Sequence, residues 1–315
     1  MATQRAFEAS IEDIGAAFAG PWRRPRQMLA SQEYDSHASI HDDATARKLG
    51  FRGGTIEGPT HFSQFAPLGA HAWGRRWFEE GCVSAHYRTA VYEGEPVRAF
   101  MSRPANDATS ARIWMLKEDG SEVLTGTASV GPHAPPSELD QRLAGLVPPD
   151  PCVILRDVKP GMTLARHSVT MAMDQNMGAL YPFSLRQKLQ AITEPSPWYG
   201  EASPWGRPII PMEMISVLVQ YAWPTGRLPV RGPVVGLFAD QEIRLIKGPL
   251  LVGETYDVER EVEALSGSRR TESVWVRTRI YAAGGDELVA RMLLNSANLK
   301  DSYADYDKDL AAIVA

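Results

Sequence analysis

The chain has 315 residues, 44% of them apolar and 23% charged, with a formal net charge of −5. That composition fits a globular protein of one large domain or two ordinary ones. The acidic balance, without a long basic run, argues against nucleic acid as the main partner and gives no reason to expect an anionic membrane surface. No apolar run approaches the length of a membrane span, and the first residues lack the apolar core of a signal peptide, so a cytoplasmic setting is expected. Two cysteines, Cys82 and Cys152, are too few for a disulfide framework. Seven scattered histidines show no metal-ligand spacing, so neither a metal nor another cofactor is expected.

In chain order, Phe7, Ile11, Ile14 and Phe18 recur at helical spacing and predict a short helix over 7–19. A strand is expected over 26–34 and a short helix over 42–49, stopped by Gly50. Gly58-Pro59 opens a predicted central helix, 59–73, whose small residues would let a sheet approach. From Gly81 the period changes to two, and strands are expected at 82–91, 96–103, 110–117 and 122–130. Asp119-Gly120 is a hairpin signal between the last two. Residues 132–151 carry six prolines and read as a linker. Strands at 153–157 and 164–173 follow, then a helical segment within 174–191 broken at Pro182, and a loop over 193–208. Pro211 opens a second apolar helix ended by Pro224. Strands at 233–246, 254–265, 271–282 and 287–297 precede a polar tail.

The order repeats: helix, then four antiparallel strands. Tyr92-Glu93-Gly94-Glu95 echoes Leu251-Val252-Gly253-Glu254, and Asp119-Gly120 echoes Gly284-Gly285. The division expected is 1–131 for one half, 132–152 for the linker, 153–300 for the other half and 301–315 for the tail. The fold class is α+β, and side-by-side units could join edge strands into one continuous sheet.

Residues 36–73 carry the chemistry. His41 lies near a helix start at Gly58, where free backbone N–H groups and a partial positive charge can hold a developing oxyanion. His61, three residues on, could face the same space. Glu57 reads either as a first-turn carboxylate favoured by the helix dipole or as a general base. Glu213 holds a comparable place on the second helix, where a buried carboxylate needs a partner. Arg52, Arg75, Arg76 and Arg207 are candidates for phosphate contacts. Trp198, Tyr199, Trp205 and Trp223, with Met171, Met173, Met212 and Met214, are core residues or the lining of a wide apolar pocket.

Ile40-His41-Asp42-Asp43-Ala44, then Gly50-Phe51-Arg52-Gly53-Gly54-Thr55-Ile56-Glu57-Gly58, resembles the MaoC-like, or R-specific enoyl-CoA hydratase, family of hot-dog folds. The resemblance implies a double hot dog, with two antiparallel sheets each wrapping a long central helix. It implies a hydratase or dehydratase acting on a CoA-linked 2-enoyl or 3-hydroxyacyl thioester, a small-molecule partner, with a bulky acyl group. Carried over, His41 is the catalytic histidine and Gly58 the oxyanion donor. The family's aspartate position holds Ser36, with Asp35 one residue out of register. The asparagine position holds Ala38, and Glu57 stands where a histidine precedes the glycine. Tyr34 and Asp35 flank the motif and would line its mouth. In the second half Asp174-Gln175-Asn176 fits the Asp-x-Asn element, while Ala179 stands where histidine would be. Asp174 could pair with His41 in a composite site or cap the next helix. The alternatives are a thioesterase using Glu57 or Glu213 and an acyl-binding subunit without hydratase activity. A homodimer is left open.

Overall fold

The computed structural model describes residues 5–34, 37–222 and 227–314. Two short strands, β1 (Glu12–Asp13) and β2 (Ala17–Ala19), come first, followed by a small hairpin of β3 (Glu33–Tyr34) and β4 (His37–Ala38). Helix α1 (Asp43–Lys48) precedes a 3-10 stretch, Gly58–Phe65, which runs into α2 (Ala66–Trp73) and α3 (Arg75–Glu80). Four strands follow: β5 (Gly81–Tyr87), β6 (Val97–Ser102), β7 (Ser110–Lys117) and β8 (Glu122–Val130). Then come α4 (Glu138–Ala144), β9 (Thr163–Thr170), α5 (Leu185–Ala191), α6 (Pro197–Gly200) and α7 (Met212–Gln220). The last strands are β10 (Gly236–Leu245), β11 (Thr255–Gly267), β12 (Thr271–Ala282) and β13 (Leu288–Leu299), before α8 (Tyr306–Val314).

All of the strands except the β3–β4 hairpin form one sheet, in the order β1-β2-β6-β7-β8-β5-β10-β13-β12-β11-β9. The seam is an antiparallel pairing of β5 with β10, in which His86 faces Asp240 and Cys82 faces Arg244. There are thus not two sheets but one, because each half leaves an edge strand and the two edges satisfy each other's backbone groups. The alternation on β6, buried at Val97, Ala99 and Met101, sends one face to the core. The main core lies between that face and the helices, with Phe62, Phe65, Leu68, Met214 and Leu218 at most 1% exposed.

The two halves use matching hydrogen bonds. Thr55 bridges Tyr92, and Ile209 bridges Leu251. Ile56 N–H donates to Val91 O at 2.7 Å, and Ile210 N–H to Leu250 O at 2.8 Å. Gly94 and Gly253 both adopt positive φ, 76° and 75°, in the turns that follow. This pairing aligns Gly58 with Met212, so the second helix start has no glycine.

Several expectations need correction. Residues 7–19 are not helical: they supply β1 and β2, which pair with each other, and β2 adds to β6. Gly15, at φ 83°, makes the turn from β1 to β2. Of 26–34 only Glu33–Tyr34 is strand. The central helix is not one long α-helix. Pro67 cannot donate to the carbonyl four residues back, so the chain stays 3-10 to Phe65 and turns α-helical only from Ala66. Residues 153–157 form turns, because the Glu272 carboxylate takes the N–H groups of Val153 and Leu155, at 2.9 and 3.0 Å. The Pro-rich stretch contains α4, capped by Ser137 and docked on the sheet through fully buried Leu139 against Trp275 and Leu293.

Candidate active site

The loop before α1 is built to hold one imidazole. Asp42 caps α1 by accepting from Thr45 N–H at 2.8 Å. Asp43 Oδ1 accepts from Gly54 N–H at 2.8 Å, and Thr55 N–H donates to Ile40 O at 3.1 Å. A Cβ on Gly54 would lie 2.2 Å from His41 O, so glycine lets the two strands of this loop touch. The His41 side chain then meets Thr55 O at 2.6 Å through Nδ1. A carbonyl can only accept, so Nδ1 carries the hydrogen and Nε2 keeps its lone pair. Burial lowers the His41 pKa from 6.5 to about 4, although the Thr55 carbonyl acts in the opposite direction. The ring is therefore neutral at physiological pH and half-buried.

Thr55 to Gly58 gathers the rest of the site. His41, Thr55, Glu57, Gly58 and His61 all line one cavity of about 1090 Å³. Glu57 leaves the chain two residues after Thr55, at the extended N-cap of the 3-10 stretch (φ −62°, ψ 133°). It is 7% exposed. Burial raises its pKa from 4.5 to about 7, with Glu213 acting in the same direction and Lys188 and the Tyr181 hydroxyl against it. Gly58 N–H has no hydrogen-bond partner among the described residues. A Cβ there would fall 2.5 Å from Tyr87 Cζ, so only glycine leaves room for that ring. His61 is buried, its Nδ1 makes no hydrogen bond among the described residues, and burial pushes its pKa down to about 3.

The cavity extends along the C-terminal half of the sheet. Nine-residue α7 is about 13 Å long, while β13 in the same half has twelve residues. Among the described residues no helix lies between Tyr221 and β10, and Leu237, Phe238, Val274, Val276 and Leu294 line the cavity. The tryptophans expected as an alternative lining are elsewhere: Trp198 and Trp205 pack on Phe78, with ring centroids 4.9 and 5.8 Å away.

The remaining sequence candidates separate. Asp35 and Ser36 lie outside the described residues, as does Trp223; Tyr34 is in β3, with its side chain outside them. Asp174 is exposed and holds Arg186 at 2.5 and 2.9 Å, away from the cavity lining, and Ser184 rather than Asp174 caps α5. Asn176 accepts from Gly178 N–H in a surface turn. Arg52, Arg75, Arg76 and Arg207 each pair with a glutamate, respectively Glu95, Glu79, Glu80 and Glu254. Sequence reasoning missed Tyr87, Tyr181 and Lys188. A lysine within an amphipathic helix looks solvated, yet Lys188 is 4% exposed. Among the described residues no group of three or more His, Cys, Asp or Glu side chains could hold a metal ion. None of the described helices is long and apolar enough to cross a membrane.

By sequence, no protein-family model and no curated protein matches the chain. By structure it has clear counterparts. A provisionally named MaoC-domain protein dehydratase from Chloroflexus aurantiacus matches with a TM-score of 0.55 at 14% identity, covering 94% of this chain and 95% of that one. A conserved hypothetical protein of Mycobacterium tuberculosis, described as having a double hot-dog fold, gives 0.54 at 13% identity over 94% and 99%. The fold is a double hot dog. The 3-10 stretch with α2 is the first hot-dog helix and α7 the second. The motif at 40–58 forms the approach to the first, and the matching approach in the second half has neither the histidine nor the glycine.

Proposed function

We propose that this double hot dog adds water to, or removes it from, an acyl thioester, as a hydratase or dehydratase of a CoA-linked 2-enoyl or 3-hydroxyacyl group. Hydration needs a base for the water, an acid for Cα and a donor for the thioester oxygen as it gains enolate character. His41 Nε2, the Glu57 carboxyl and Gly58 N–H are those three groups, and they line one cavity. His41 takes a proton from water as its oxygen bonds to Cβ. Glu57 delivers a proton to Cα, and solvent exchange resets both. Glu57 thus fills the acid role, and the second half needs no matching residue.

The observation that carries this reading is the commitment of His41 Nδ1–H to Thr55 O, which fixes the base form of the ring in the cavity. The cavity volume, near the upper end of ordinary ligand sites, supports a bulky acyl group lodged over the C-terminal strands. Purified protein should convert at least one bulky 2-enoyl-CoA of a panel to its 3-hydroxyacyl product. No conversion in either direction across the panel would refute the reading.

Glu57 also supports a second reading. A buried carboxylate with its pKa near 7 is a competent base for hydrolysis. A thioesterase would release free CoA thiol, which a thiol-reactive dye detects, whereas a hydratase releases none.

A further inference from the structure

The two hot-dog helices meet through polar groups where apolar packing is the rule. Thr60, His61, Ser63 and Gln64 on the 3-10 stretch, Glu213 on α7 and Lys188 on α5 are each no more than 5% exposed. Lys188 Nζ donates to Thr60 Oγ1 at 3.1 Å and stands 3.8 Å from Glu213 Oε1, an ion pair too long for a direct hydrogen bond. Neither Glu213 oxygen, neither amide atom of Gln64 nor His61 Nδ1 is hydrogen-bonded among the described residues. Buried polar groups left this way are served by ordered water. Here they form a buried polar seam between the helices.

The charges of the seam do not balance. Lys188 pairs with Glu213 and also stands on Thr60, whose N–H donates to Glu57 O at 3.1 Å, so a second buried carboxyl, Glu57, sits one 3-10 turn from the same ammonium. In a low-dielectric interior the least costly arrangement carries no net charge, so one carboxyl keeps a proton. Only Glu57 of the two lines the cavity. The other titratable groups around it are Tyr181, Tyr87 of β5, His61 and His41. Both phenols are pushed well above their ordinary range by burial, and both histidines are held neutral, so none supplies a competing charge near pH 7.

We propose that Lys188 and Glu213 are positioning residues that set how readily Glu57 gives up its proton, Glu213 favouring the acid form and Lys188 the carboxylate. This rests on Glu57 being the acid of the reaction proposed above, but its test does not require turnover.

The test is a carbon-13 titration of the full chain labelled at the glutamate carboxyls, with the Glu57 signal assigned by its loss in Glu57→Gln. Removing a neighbouring charge moves such a midpoint by about one pH unit or more. Glu213→Gln should therefore lower the Glu57 midpoint at least tenfold in proton affinity, and Lys188→Met should raise it by a similar factor. Should Lys188→Met not fold, the double variant Lys188→Met/Glu213→Gln, which removes both members of the pair, should titrate above Glu213→Gln alone. No movement in Glu213→Gln, or movement of both single variants in the same direction, overturns the proposal. If the NMR midpoints move as stated while the pH limb of turnover stays fixed, the positioning pair stands and the catalytic role of Glu57 fails.

Discussion

Gly58→Ala should damage both stability and rate. The new Cβ would lie 2.5, 2.7 and 2.9 Å from Cζ, Cε2 and Cε1 of Tyr87, inside any real carbon contact. Tyr87 has little room to retreat. Its hydroxyl donates to Gln241 Oε1 at 3.1 Å, Gln241 Nε2 is held on Ser216 Oγ at 2.9 Å, and the ring stacks on Phe62. Overpacking at a site so fixed costs about 1–3 kcal/mol. The main chain at residue 58 must also shift, and loss of one oxyanion donor lowers kcat by roughly 10²–10³. Urea denaturation midpoints and steady-state kinetics with the best enoyl-CoA measure the two effects. The double variant Gly58→Ala/Tyr87→Ala should lose less stability than the two single changes added together, with a coupling of about 0.5–3 kcal/mol. Wild-type stability in Gly58→Ala, or strict additivity in the double variant, would refute the close approach, and a wild-type rate in Gly58→Ala would refute the donor role.

Hydration should be level in acid and fall through about pH 7 as Glu57 loses its proton, by roughly tenfold per pH unit. His41 imposes no acid limb until about pH 4. A rate that rises through pH 7 would instead point to hydrolysis with Glu57 as base. Glu57 also links stability to pH. Its folded pKa is raised from 4.5 to about 7, so its contribution is present below 4.5 and is lost as pH rises through 7. Glu57→Gln should flatten that loss between pH 4.5 and about 7; an unchanged slope in denaturation midpoints would contradict it. Asp174→Ala should leave kcat/KM as it is, because Asp174 pairs with Arg186 outside the cavity lining; a loss of a hundredfold would restore it as a partner of His41.

Much of the β structure was legible because its signals are local. The spans predicted for β7, β8 and β12 match the observed bounds, with Asp119-Gly120 marking the hairpin. The mistaken helix at 7–19 shows the limit of periodicity in a short segment: four apolar residues at helical spacing also suit two edge strands joined at a glycine. The break in the central helix was readable in principle from Pro67. Of the groups proposed for catalysis, His41, Glu57 and Gly58 stand out in the sequence because they lie close together in one motif. Lys188 and Tyr181 reach Glu57 from more than a hundred residues away, and no local pattern separates a buried lysine from a solvated one. Asp174 reads in the sequence as a partner of His41 or a helix cap, and the structure gives both of its carboxylate oxygens to Arg186, twelve residues on.

The most direct measurement is kcat/KM for hydration of the best enoyl-CoA by wild type and by His41→Ala, with circular dichroism to establish that the variant is folded. Loss of the base predicts a fall of about 10²–10⁴ in kcat/KM without release of free thiol. A folded His41→Ala protein with wild-type turnover would contradict the assignment of His41 as the base.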